Sequence, residues 1–178
     1  MKKLTLLLLL IPILSFGQMI KEGSRQIHLD FHTSGLIENI GEKFSKEQFK
    51  NALKIGNVNS INIFGKGHHG YSYYNTNIGT RHPHLKFDLL KEQIEACHEM
   101  GVTAQVYFTV GWSQKDADDH PEWILKDKNG TTNKLEILKK LGPNDRLPNF
   151  TWRLLAPSNG YDEFILKQVE EICMNYDI

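Results

Sequence analysis

Three short runs of this sequence gather side chains suited to a ligand rich in hydroxyl groups. The first is His28-Leu29-Asp30-Phe31-His32. Alternate residues of an extended chain share a face, so His28, Asp30 and His32 point the same way. The second runs from Phe64 to Thr76 and contains Lys66, His68, His69, Tyr71, Tyr73 and Tyr74 among glycines. Glycines let a backbone approach a ligand closely. Lysine and histidine donate to hydroxyls, and tyrosine offers a flat face with a polar tip. The third is Tyr107-Phe108-Thr109-Val110-Gly111-Trp112, followed by His120-Pro121-Glu122-Trp123. Trp112 is placed for stacking at the mouth of a barrel. Trp123 fits either stacking or packing of a loop on the core, and Arg81-His82-Pro83-His84 reads first as a helix lead-in.

Other chemistries fit these residues less well. The first run also suits a buried polar network that only fixes the strand. As a metal site it is poor. At about 3.3 Å per residue, His28 and His32 lie about 13 Å apart, too far to share one ion. Asp30 and His32 are close enough, but further ligands must come from elsewhere. No metal and no cofactor is expected. No Ser-His-Asp order, phosphate-binding glycine loop or zinc-type Cys/His spacing stands out. Hydrolysis of a glycosidic bond uses two carboxyl groups about 5–9 Å apart. Asp30 is the one carboxylate expected to face inward from a strand.

These runs follow elements that alternate along the chain. Residues 26–31, 58–64 and 102–110 read as strands. Residues 45–55, 87–100 and 162–176 read as helices. Ser45 and Gly56 bracket the first helix, and Gly101 stops the second. Phe87, Leu90, Ile94 and Cys97 form the apolar face of the second helix, and Ile165, Val169, Ile172, Cys173 and Tyr176 that of the third. Residues 111–160 read as a long polar connection. Strand–helix–strand order with short connections implies a parallel sheet.

The strands alternate. Ile27, Leu29 and Phe31, then Ile61 and Ile63, then Ala104, Val106 and Phe108 are interleaved with polar residues. A parallel sheet covered on both faces has near-continuous apolar strands instead. One apolar and one polar face suits a barrel with helices outside and polar groups inside. The expected fold is α/β: a partial (β/α)8 TIM barrel, its first three βα units, truncated at the C-terminus.

Composition adds limits. Lysine plus arginine and aspartate plus glutamate are 21 each, for zero formal net charge. No basic excess exists to hold nucleic acid or an anionic membrane. Lys2, Lys3, the apolar run Leu4–Leu14 and small residues at Ser15 and Gly17 have the order of a secretory signal peptide. Residues 1–17 are therefore expected to be removed, leaving an exported chain from Gln18 with no membrane anchor. Cys97 and Cys173 both fall on expected apolar helix faces; an exported protein could oxidise them, and two buried thiols fit at least as well. Asn129-Gly130-Thr131 and Asn149-Phe150-Thr151 match the N-glycosylation pattern, which matters only in a eukaryotic secretory pathway.

From about Arg25 onward the chain resembles the barrel glycoside hydrolases related to α-L-fucosidases, in particular a group of hypothetical glycosyl hydrolases of fucosidase-like type. The resemblance is carried by QIHLDFHTS, INIFGKGHHGYSYYNT, HPHLKFDLLKEQIEACHEMGV, VYFTVGW and HPEW. The second segment is similar to the fucosidase Lys-His-His-Asp-Gly-Phe pattern, matched here by Lys66, His68, His69, Gly70 and Tyr71. Gly67 is inserted and the Asp is absent. The resemblance implies a carbohydrate substrate, with His28, Asp30, His32, Lys66, His68, His69, Tyr71, Tyr107 and Trp112 lining a sugar subsite. It also implies an aspartate nucleophile at the end of the strand after the third helix, hence beyond Ile178. A closed barrel takes eight strands and about 250 residues. Residues 18–178 are accordingly expected to be the N-terminal part of such a barrel, without turnover on their own; the alternatives are a non-catalytic carbohydrate-binding protein and a metal-dependent barrel hydrolase using Asp30 and His32.

Overall fold

The computed structural model describes residues 24–126, 128–130, 152–158 and 160–178. The expected signal peptide lies outside them, and so does one residue or more of each glycosylation pattern. In chain order the elements are β1 (Gln26–His28), α1 (Lys46–Ile55), β2 (Ser60–Lys66), β3 (Tyr71–Ser72), β4 (Thr80–Arg81), α2 (Leu89–Glu99), β5 (Thr103–Phe108), α3 (Gln114–Asp119), a 3-10 turn (Pro121–Trp123) and α4 (Tyr161–Asn175). The architecture is mixed α/β. β2 is central, with β1 parallel to it on one side and β5 parallel on the other. The end of β2 turns back antiparallel into β3, which pairs with β4.

Local signals explain the helices. The Ser45 hydroxyl accepts from the amide of Gln48 at 3.3 Å and starts α1. Asp88 caps α2 by accepting from the amide of Lys91 at 2.9 Å. The same carboxylate accepts from the amide of Asn75 and from the Tyr176 hydroxyl, tying α2 to the β3–β4 connection and to the end of α4. Past α2, Gly101 takes the left-handed conformation at φ +64°.

The main core lies between the sheet and the helices. Ile61 and Ile63 of β2 meet Leu90, Ile94 and Cys97 of α2, Leu53 of α1 and Ile172 of α4. Each such buried aliphatic side chain stabilises the fold by about 1.5–3 kcal/mol. Tyr73 and Tyr74 are fully buried, so neither offers its ring to a ligand as expected. Burial pushes the Tyr74 phenol up to about 12.

Three further expectations change. The first strand is shorter than read, ending at His28, and its Ile27 is exposed. The segment after β5 holds a second core of Ala117, Trp123, Ile124, Leu155, Tyr161 and Ile165, so Trp123 packs rather than waits for a ligand. In α4 the buried face is Tyr161, Ile165, Gln168, Glu171 and Ile172, and Cys173 is exposed. Partners recruit the two polar members of that face: Glu171 accepts from the Thr76 hydroxyl and the Asn77 amide.

Candidate functional site

The polar face of the sheet is a hydrogen-bonded row. Gln26 donates to Gln105 at 2.5 Å and to Asn62 at 3.3 Å, and Asn62 meets His28 Nδ1 at 3.4 Å. Towards the C-terminal strand ends the row becomes aromatic. Phe64 and Tyr107, register partners on β2 and β5, stack with centroids 4.2 Å apart. The His28 ring packs edge-on against both.

His32 sits above this pair, also edge-on, and stacks on His68 at 3.8 Å. His68 is surrounded by Trp112 at 4.9 Å and Trp152 at 4.8 Å, and its Nε2 meets the Tyr107 hydroxyl at 2.9 Å. Trp152 also reaches His32 and His69. The result is an aromatic floor and walls around three imidazoles, all half-buried.

Proton positions follow from partners. His32 Nδ1 accepts from the amide of His68 at 2.9 Å, so in the neutral ring the proton is on Nε2, which faces Asp30 at 3.1 Å. Asp30 itself is largely exposed. Burial lowers the His32 pKa, against the pull of Asp30. Burial, reinforced by His32, drives His68 down to about 4. His69 is lowered by burial and by His32. Near neutral pH these rings are uncharged and can both donate and accept, which suits hydroxyls. His68 Nδ1 is buried with no hydrogen-bond partner among the described residues.

A tight turn presents the histidines. The amide of Gly70 donates to the carbonyl of Gly67 at 2.9 Å, with His68 and His69 at the corners. Gly70 has φ +86°, and a Cβ there would lie 2.5 Å from Ser113 Oγ. A Cβ on Gly67 would lie 2.8 Å from Tyr73 Oη. Both glycines serve close packing within the protein rather than approach of a ligand.

Lys66 is not in this cluster. The β2–β5 register shifts between Phe64 and Lys66, so Gly65 forms a bulge. Phe64 pairs with Tyr107 on the polar face, but Lys66 pairs with Phe108 on the other. The lysine is fully buried there, 2.5 Å from Asp116 and 3.2 Å from Gln168. Counting by twos along the strand missed this reversal.

Tyr71 is offset as well. Its ring meets His82 at 5.3 Å, and with His69, Ser34, Gln114, Lys115 and Asp118 it lines a shallow cavity of about 190 Å3 beside the cluster. A larger groove of about 480 Å3 lies between residues 38–46 and 84–92 and shares no residue with the cluster. Sequence reasoning also missed Trp152, which has no regular element of its own. Among the described residues no group of three or more His, Cys, Asp or Glu side chains converges to hold a metal ion.

The family model described as Hypothetical glycosyl hydrolase 6 matches residues 45–178. The solved structure of α-L-fucosidase isoenzyme 2 from Paenibacillus thiaminolyticus is similar at 39% identity and TM-score 0.75, over 86% of this chain and 22% of that one. A hypothetical protein from Ruminiclostridium thermocellum shares the fold at 15% identity and TM-score 0.53, over 82% of this chain and 70% of that one. The α-fucosidase of Thermotoga maritima, solved with a mechanism-based inhibitor, shares it at 19% identity and TM-score 0.51, over 76% of this chain and 27% of that one. This chain thus spans about a fifth of the length of the Paenibacillus enzyme. No curated protein matches it. The chain belongs to the hypothetical glycosyl hydrolase 6 family and is an α-L-fucosidase-like glycoside hydrolase domain.

Proposed function

We propose that these residues form the sugar-binding part of a glycoside hydrolase acting on α-L-fucose-type substrates. The observation that carries this reading is the convergence of His32, His68, Tyr107, Trp112 and Trp152 at one rim of the sheet. Neutral imidazoles and the Tyr107 hydroxyl there suit hydroxyls, and the indole faces suit the apolar side of a sugar ring.

In this reading the sheet is the first part of a (β/α) barrel, because one face is polar and the other carries the helices. Among the described residues the contacts bring one carboxylate, Asp30, to the cluster. Hydrolysis takes a pair of carboxyl groups, so in this reading Asp30 marks the sugar subsite rather than completing the catalytic pair. The apolar run near the N-terminus fits export, which places the sugar outside the cytoplasm.

The test is titration of the full chain with L-fucose, followed by tryptophan fluorescence. Saturable quenching with a Kd of about 1 mM or below is expected, at the weak end of enzyme–substrate affinities. His68→Ala should abolish it. Absence of saturation with L-fucose and with other monosaccharides would overturn the reading.

A further inference from the structure

The sugar-facing turn is anchored from behind. The amide of Gln114 donates to the carbonyl of His68 at 3.0 Å, and the amide of Lys115 to the carbonyl of His69 at 3.1 Å. Both amides belong to the start of α3. That helix is six residues long and too short to hold its own shape in water. Its position has to come from tertiary contacts.

Those contacts centre on Asp116. Its carboxylate accepts from Lys66 at 2.5 Å and from the Ser113 hydroxyl at 2.6 Å. Lys66 also donates to Gln168 of α4 and lies between the rings of Phe108 and Phe164 at 5.4 and 5.3 Å. Burial lowers the Lys66 pKa and Asp116 opposes that shift. Removing both charges from water costs several kcal/mol per ion, and apolar residues of similar volume serve stability as well or better. A hydrogen-bonded charged pair has a defined distance and direction.

We propose that the buried Lys66–Asp116 pair is a positioning device for the sugar-facing histidines. It seats α3 against the end of β2, and the amides of Gln114 and Lys115 then hold the His68–His69 turn at its working height. This rests on the sugar-binding reading above, and it gives Lys66 a role without contact to the sugar. The pair acts through the turn and is not itself catalytic.

The experiment compares the full chain with the double variant Lys66→Met, Asp116→Leu and with Gln168→Leu. Two readouts are taken: NMR titration of the His68 imidazole and L-fucose affinity. The groups facing that imidazole are Asp30, His32, His69 and the Tyr107 hydroxyl, and none is altered. The double variant is expected to fold, to move the His68 midpoint upward by about one unit or more, and to weaken L-fucose about tenfold, the lower end of what loss of supports behind metal-ligating histidines costs. Gln168→Leu should move both in the same direction and by less. Thr76→Val, which loosens α4 from the other side, should leave His68 unchanged. If the double variant fails to fold, Gln168→Leu decides. A folded variant with His68 and affinity unchanged would make the pair merely structural and overturn the proposal. If the unaltered chain does not bind L-fucose, the sugar reading fails while the His68 titration still judges the positioning role.

Discussion

Phe64 and Lys66 stand two residues apart on β2 and serve opposite sides of the sheet. On the Phe64 side, half-buried imidazoles and indoles surround a rim open to solvent. On the Lys66 side, an ammonium and a carboxylate are sealed under α4 with almost no exposure. The first region keeps its imidazoles neutral beside the exposed Asp30. The second holds an ion pair that Ser113 and Gln168 also bond. A region that must bind stays open at its rim, whereas a region that must hold shape is closed over. The bulge at Gly65 is what lets one strand do both.

Breaking the sealed side should have the largest effect. Asp116→Ala leaves the Lys66 ammonium buried without its counter-charge, and loss of one member of a buried pair costs about 3–5 kcal/mol. Urea unfolding of the variant against the unaltered chain measures this. A loss below about 1 kcal/mol, the scale of an exposed pair, would mean that the two regions do not differ as described.

The open side should respond to acid. In the unfolded chain a histidine binds its proton near pH 6.5, and in the native chain His68 does so only near 4. His32 and His69 are lowered as well. Between these limits the unfolded state binds more protons, so stability is present above pH 6.5 and is lost as pH falls towards 4. Exposed carboxylates paired between α1 and α2, such as Glu99 at about 2, add their loss from about pH 5.5 downward. Urea midpoints between pH 7.5 and about 5.5 therefore isolate the histidines. His68→Asn should flatten that slope, and an unchanged slope would sink the assignment.

The sequence made some of this legible and hid the rest for definable reasons. Ser45, Gly56 and Gly101 mark helix ends because capping is local. The polar face of the sheet followed from period two, and His28 and His32 do share the aromatic pair Phe64–Tyr107. Lys66 was misplaced because a bulge reverses the alternation, and the cue available was a glycine inside a strand. The face of α4 was misjudged because Gln168 and Glu171 are buried by distant partners, Lys66 and the residues around Thr76, which no helical period reveals. Trp152 reaches the histidines from an irregular stretch, and only the folded chain brings it there.

The smallest effect tests how loosely the open side is held. Tyr107 touches His68 through one hydrogen bond of 2.9 Å, while its ring stays fixed by stacking on Phe64. Tyr107→Phe removes that bond and keeps the stack. A neutral hydrogen bond contributes about 0.5–1.5 kcal/mol, and the rim gives solvent access to the freed imidazole nitrogen, so the lower end applies. L-Fucose affinity should fall by a few-fold and the urea midpoint should barely move. A destabilisation as large as that of Asp116→Ala would show the rim to be as tightly built as the sealed side, and the contrast between the two faces of β2 would be lost.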